Sequence, residues 1–329
     1  MSRQPHASDG IQEPTAPQSG SAFKFLNQAF AAYETADHDL AERILVQVTE
    51  QRPDDPAAWH LRGLNAAAAG ATDVATRFLI DAVRLDSENA GYCATLAGHL
   101  SSVAKDKDAL IYLRRAADLD PTSTFYRTEL AYCLSRLGRH QDALPNFDEA
   151  AKDAPNDDRL LAAFGVALAA TGAHNRAIPI LQQAHEASPG DAQRAFHLAL
   201  ALQRSDRFAE AADTYGTALA ADPHLCEARL NRSACRRELG DIDGAMEDAR
   251  IVLATEPDSV GALTNIGAAL CDAGQHADAI RHLADAIRLD PSNVSALHNL
   301  GVALHGNGYV AEAEACLKRC LRLEPDSPD

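Results

Sequence analysis

The 329-residue chain is long enough for two ordinary domains or one long repeat array. Hydrophobic residues make up 46% and aromatics only 5%, with alanine dominant and no alternating Val, Ile and Thr runs, which excludes a sheet protein and points to helix. A formal net charge of −17 argues against nucleic acid as a partner and suits neutral or basic protein segments.

Residues 1–21 are rich in Pro, Ser, Gln and Gly and carry no apolar run, so they are expected to form a disordered tail and not a secretory signal. No later window is apolar for long enough to span a bilayer. The seven cysteines lack a Cys-x-x-Cys pair and form no framework, which suggests reduced thiols in a cytoplasmic compartment.

From residue 22 the chain repeats itself. Pro53, Pro121, Pro155, Pro189, Pro223, Pro257, Pro291 and Pro325 fall on a 34-residue period, with Ser87 in the one vacant place. A fixed period of this size signals a repeat architecture. With the proline at slot 32, the units run 22–55, 56–89, 90–123, 124–157, 158–191, 192–225, 226–259, 260–293 and 294–327, leaving 328–329 as the end. Slot 20 is alanine in all nine, from Ala41 to Ala313. Slot 8 is always small: Ala29, Gly63, Ala97, Ala131, Gly165, Ala199, Ser233, Gly267 and Gly301. Slot 24 is large and apolar except at Ala249.

These columns predict two helices per unit. Slots 4, 8 and 11 share one face of helix A, and slots 20, 24 and 27 share one face of helix B. Small side chains at slots 8 and 20 let the pair approach closely. Glycine at slot 15 in six units supplies a left-handed end to helix A, and the slot-32 proline stops helix B. Pro145 and Pro179, at slot 22, are tolerable if they fall in the first turn of helix B. Unit 7 departs from the pattern with Arg229, Arg232 and Arg236 at slots 4, 7 and 11, which predicts a looser or more polar seam.

The combination of Trp59 and Gly63 in unit 2 with Leu263, Ile266, Gly267, Ala279, Leu283, Ala286 and Pro291 in unit 8 resembles the tetratricopeptide repeat family. The resemblance covers residues 22–327. It implies an all-α fold, a right-handed α-solenoid of nine 34-residue helix-turn-helix repeats, with the A helices lining a concave groove.

No nucleotide-binding loop, nucleophile elbow or His-Glu-x-x-His pattern is present, so the chain is not expected to be an enzyme, and no cofactor or metal is expected. What remains is binding. Slot 6 ends in three consecutive asparagines, Asn231, Asn265 and Asn299, after His197 in unit 6. Asparagine offers a donor and an acceptor, matching a peptide main chain. A similar asparagine ladder is a feature of the repeat superhelix of O-linked N-acetylglucosamine transferases, which implies that these residues grip a peptide. The bland alternative is exposed or capping asparagine. The clamp by which other members of the family hold chaperone tails uses lysines, and slots 2 and 5 hold none.

Phe125, Tyr132, Arg159 and Phe196 occupy further groove slots, either to seat a helix or nonpolar stretch or to pack between A helices. In unit 1, Phe23, Leu26, Phe30 and Tyr33 form a stripe that either packs on helix A of unit 2 or stays exposed for self-association. Leu317 and Leu321, on the last helix B, lack a following repeat to cover them and are expected to dock onto a second subunit or another domain. The expected function is a non-catalytic scaffold for a partner's extended or helical segment. The alternative is a substrate-recruiting module of, or for, a glycosyltransferase-type enzyme.

Overall fold

The computed structural model describes residues 22–323, and the 1–21 tail lies outside the described residues. The chain divides into two compact units, one ending at Asn156 and the other starting at Asp157. The first holds α1 (Ala22–Glu34), α2 (His38–Gln51), α3 (Pro56–Ala68), α4 (Thr72–Leu85), α5 (Ala90–Ser102), α6 (Asp106–Leu119), α7 (Thr124–Arg136) and α8 (His140–Asp153). The second holds α9 (Asp158–Ala170), α10 (His174–Ala187), α11 (Ala192–Gln203), α12 (Phe208–Ala221), α13 (Cys226–Glu238), α14 (Ile242–Thr255), α15 (Val260–Asp272), α16 (His276–Leu289), α17 (Val294–Gly306) and α18 (Val310–Leu323). The described residues contain no strand. Each unit is a stack of helical hairpins, an α-solenoid architecture: odd-numbered helices are A helices and even-numbered ones B helices.

The turn between A and B shows why slot 15 is special. All nine residues there adopt positive φ: Gly70, Gly138, Gly172, Gly240, Gly274 and Gly308, but also Ala36, Ala104 and Asp206, at φ 57–58°. Left-handed backbone costs a non-glycine residue about 1–2 kcal/mol, so hairpin closure overrides local preference at those three. The chain then turns back with Gln275 N–H bonded to Leu270 O at 2.8 Å, which satisfies a terminal helix carbonyl.

The linker between repeats, proline-containing except at Ser87, also starts the next helix. Its last residue is the N-cap: Asp55, Asn89, Asp157 and Asn293 each accept a backbone N–H of the first turn, at 2.8–3.2 Å. Leu225, the last residue of repeat 6 and the N-cap of α13, has no side chain for this.

Slot 8 meets slot 24 across each hairpin. A Cβ on Gly267 would lie 2.4 Å from Leu283 Cγ, and one on Gly165 2.5 Å from Leu181 Cγ. Both leucines are fully buried. Pro145 and Pro179 lie inside α8 and α10 beyond the first turn, contrary to the condition set from sequence. Both are exposed, and so are Gln141 and Asn175, whose carbonyls they leave without a helical donor, so water can serve there.

Candidate functional site: the A-helix layer

Within each unit, B helices contact their own A helix and the next one, and in the second unit A helices also contact the A helix of the next repeat: α9 with α11, α11 with α13, α13 with α15 and α15 with α17. The A helices of residues 158–306 therefore form a side-by-side layer, and side chains cross it. Arg237 reaches Asp272 at 3.2 Å, from α13 to α15.

The slot-6 asparagines lie on this layer, each half-buried. Asn265 donates its amide to Leu230 O at 2.9 Å, tying α15 to α13. Asn231 hydrogen-bonds to the Tyr215 hydroxyl, which itself donates to Gln203 Oε1 at 2.7 Å. Burial pushes that phenol up. Among the described residues the Asn299 side chain has no hydrogen-bond partner, and its backbone carbonyl accepts from the Cys271 thiol. The three asparagines are thus unequal. Two hold neighbouring repeats in place, and one presents a whole amide.

His197 is half-buried with its ring on Phe196, centroids 5.5 Å apart. Burial lowers its imidazole pKa, against the opposing pull of Glu227 and Asp191. Phe196 itself is buried against Tyr215, 5.9 Å between centroids, and belongs to the hairpin core. Its expected place in a groove does not hold, because slot 5 here turns under the B helix. Arg159 is exposed near the start of α9.

In the first unit, Phe125 is 48% exposed and meets Tyr126 edge-on at 5.5 Å. Tyr132 is half-buried and packs edge-on against Phe147 of its own hairpin at 5.9 Å. Leu26, Phe30 and Tyr33 pack on a core that includes Leu61 of α3, so this part of the stripe follows the packing alternative. Phe23 remains exposed, as does Phe25, which lies off the stripe. Leu317 and Leu321 are exposed at 38% and 52%.

Sequence columns missed three features. His60 lies with its ring on Tyr92, centroids 4.7 Å apart; burial lowers it to about 4, and its Nε2 has no hydrogen-bond partner. Arg62 sits over the Phe78 ring at 4.3 Å and the Trp59 ring at 5.6 Å, while binding Glu42 of the previous hairpin at 2.7 and 2.9 Å. Asp248, 1% exposed, is gripped by Arg232 at 2.6 and 2.8 Å and Arg236 at 3.0 Å, with Arg229 at 3.7 Å. The three arginines at core slots were the available signal for Asp248; His60 and Arg62 left none. The seam of repeat 7 is polar as expected, and it is tightly bonded, not loose.

Among the described residues, no group of three or more His, Cys, Asp or Glu could hold a metal ion, and no helix is long and apolar enough to cross a membrane.

Tetratricopeptide repeat models match residues 128–192 and 196–260 and residues 294–327, and a further TPR repeat model matches 267–308. No curated protein matches the chain. Among solved structures, the chain is similar to YrrB, described as a TPR protein with an unusual peptide-binding site, at 19% identity and TM-score 0.52, over 56% of this chain and 95% of that one. It is also similar to a chain of the APC/C hetero-tetramer Cut9–Hcn1, at 18% identity and TM-score 0.53, over 86% of this chain and 56% of that one. The chain thus spans about half the length of the latter. At these identities the likeness is one of fold.

Proposed function

We propose that this chain, a member of the tetratricopeptide repeat family, is a non-catalytic scaffold that holds an extended segment of a partner protein along the A helices of residues 158–306. The observation that carries the reading is the slot-6 row. Asn231, Asn265 and Asn299 recur once per repeat on A helices that touch in succession. Asn299 offers a free donor and acceptor, and Asn265 keeps a carbonyl oxygen after donating to Leu230. A peptide main chain presents the complementary groups at regular intervals. His197 precedes the row at slot 6 of repeat 6, exposed Arg159 stands at slot 2 of repeat 5, and exposed Phe125 with Tyr132 supplies a separate apolar contact on the first unit. YrrB, of similar fold, is described as having a peptide-binding site, which is compatible with this use of the architecture.

The test is a cross-linking pull-down from native lysate with the wild type, with Asn299→Ala, and with all three asparagines changed to alanine. Each lost hydrogen bond weakens capture by about 0.5–1.5 kcal/mol. Asn299→Ala isolates binding, because this side chain holds nothing in the fold. Prey recovered equally by all three proteins would remove the reading.

A second reading, in which the array recruits substrates for a glycosyltransferase-type enzyme, is favoured by the same asparagine row. Co-purification with a transferase separates it from a free-standing scaffold. Exposed Phe23 in the first unit, and exposed Leu317 and Leu321 in the second, lie outside the slot-6 row and are suited to self-association.

A further inference from the structure

The arginine cluster of repeat 7 is over-charged for the acids around it. Three half-buried guanidiniums, those of Arg229, Arg232 and Arg236, gather on one buried carboxylate, Asp248. Arg232 donates to it through Nε and Nη2, at 2.8 and 2.6 Å. Arg236 donates through Nη1 to Asp248 and to Gly244 O. Arg229 gives Nη2 to Pro223 O, and its Nη1 stays 3.7 Å from Asp248. Arg232 Nη1 and Arg236 Nη2 have no hydrogen-bond partner among the described residues. Asp241 approaches only Arg236, at 3.7 Å, and its exposed carboxylate already caps α14.

Repeat 2 shows what is missing. Its slot-7 residue is also an arginine, Arg62, and the preceding B helix supplies Glu42 at 2.7 and 2.9 Å and the Thr49 hydroxyl at 3.1 Å. Glu42 and Thr49 stand at slots 21 and 28 of repeat 1. The same slots of repeat 6, ahead of Arg232, hold Ala212 and Leu219. Slot 25 of that helix is Gly216, where other repeats have Ile80, Gln182 or Arg250. A Cβ there would meet Arg232 Nη1 at 3.6 Å and, its chain neighbours aside, nothing else within 4 Å. The unpartnered nitrogen therefore lies beside a place in α12 that no side chain fills.

Three guanidiniums against one carboxylate leave two positive charges without a close counter-charge, which is costly in a half-buried site. A phosphate monoester carries about −1.5 to −2 charges at pH 7 and three acceptor oxygens. Guanidinium edges match such oxygens in geometry as well as in charge. We propose that Arg229, Arg232 and Arg236 form a binding site for a dianionic phosphate group, entered beside Gly216. Arg232 Nη1 and Arg236 Nη2 donate to its oxygens from edges that Asp248 does not occupy, and Arg229 adds its charge. The site lies outside the slot-6 row and does not depend on peptide capture.

Calorimetric titration of the full chain tests this, with inorganic phosphate, acetate, and a Gly-Ser-Gly peptide with and without phosphate on its serine. Inorganic phosphate should bind at least about tenfold more tightly than acetate. The phosphopeptide should bind more tightly as pH rises past about 6, where its phosphate gains the second charge, and more weakly as salt is raised. Gly216→Glu sets a carboxylate against Arg232 and should weaken phosphate binding at least about tenfold, with helicity kept because glycine is the poorer helix former. Gly216→Ala, whose Cβ stands at ordinary contact distance, should retain binding. Arg229→Gln should weaken binding while Arg232 and Arg236 still hold Asp248. Higher affinity for the phosphopeptide than for inorganic phosphate supports the site and identifies a phosphorylated side chain as its ligand. Affinity no higher than that supports a site for a small free anion. Phosphate bound no more tightly than acetate, a phosphopeptide affinity independent of pH, or full binding by Gly216→Glu would each overturn the proposal.

Discussion

Repeats 7 and 8 share one backbone plan and close it by opposite means. In repeat 8, Leu263, Ile266 and Leu270 line α15, and Leu283 of α16 lies over Gly267, all buried. In repeat 7 the matching α13 positions are Arg229, Arg232 and Arg236, the leucine is replaced by Ala249, and buried Asp248 draws the guanidiniums together. Ser233, in place of glycine, donates to Ala245 O at 2.8 Å. The apolar hairpin is held by area removed from water. The ionic one is held by charge-assisted hydrogen bonds that must all be present, because a buried charge without its partner is expensive. Hairpin geometry therefore tolerates either filling, but the ionic filling is intolerant of partial removal.

The largest expected effect follows from that intolerance. Asp248→Ala leaves three arginines facing one another and should cost about 3–5 kcal/mol, seen as early loss of amide protection in α13 and α14 during a urea titration. A mild, uniform loss would mean that the cluster is better hydrated than its burial implies. Leu283→Ala in repeat 8 should cost about 2–5 kcal/mol, confined to α15 and α16 and their neighbours, since repeat arrays lose stability locally. Grafting the repeat 8 seam onto repeat 7 (Arg229→Leu, Arg232→Ile, Ser233→Gly, Arg236→Leu, Asp248→His and Ala249→Leu together) should leave stability unchanged or raise it by about 1–4 kcal/mol. Collapse of the grafted protein would show that the ionic cluster specifies the fold of that hairpin and does not merely occupy it. Gly267→Val should cost about 1–3 kcal/mol by driving Leu283 off its seat, read as a lower melting temperature. The smallest effect belongs to Asn265→Ala, which removes the bond to Leu230 O between these two repeats. About 0.5–1.5 kcal/mol should be lost, with faster exchange at the α13–α15 contact.

Much of the hairpin was legible in the residues. Proline at slot 32, alanine at slot 20, small residues at slot 8 and glycine at slot 15 are each read within one unit and reinforced by repetition. The candidate site was less legible. Slot 6 identifies Asn231, Asn265 and Asn299 as equals, yet their hydrogen bonds differ because their neighbours differ: Leu230 O for one, the Tyr215 hydroxyl for another, none for the third. Phe196, whose slot left a place in a groove or packing between A helices open, lies in the core against Tyr215 of its own B helix, a contact that its own column does not contain. The same holds between hairpins. His38 Nδ1 meets Asn65 Oδ1 at 2.9 Å, and His99 Nε2 meets Thr76 Oγ1 at 3.0 Å, pairs that no single column predicts.

The sequence by itself determined the period, the helical class, the place of each turn and the small-against-large closure of each hairpin, because these depend on backbone preference and on volumes that recur every 34 residues. Only the tertiary structure decided which polar side chains are consumed by neighbouring repeats and which remain available, which aromatic rings are buried, and how Asp248 is neutralised. Those outcomes depend on atoms brought together from different helices, where one neighbour's identity changes what a given slot can do.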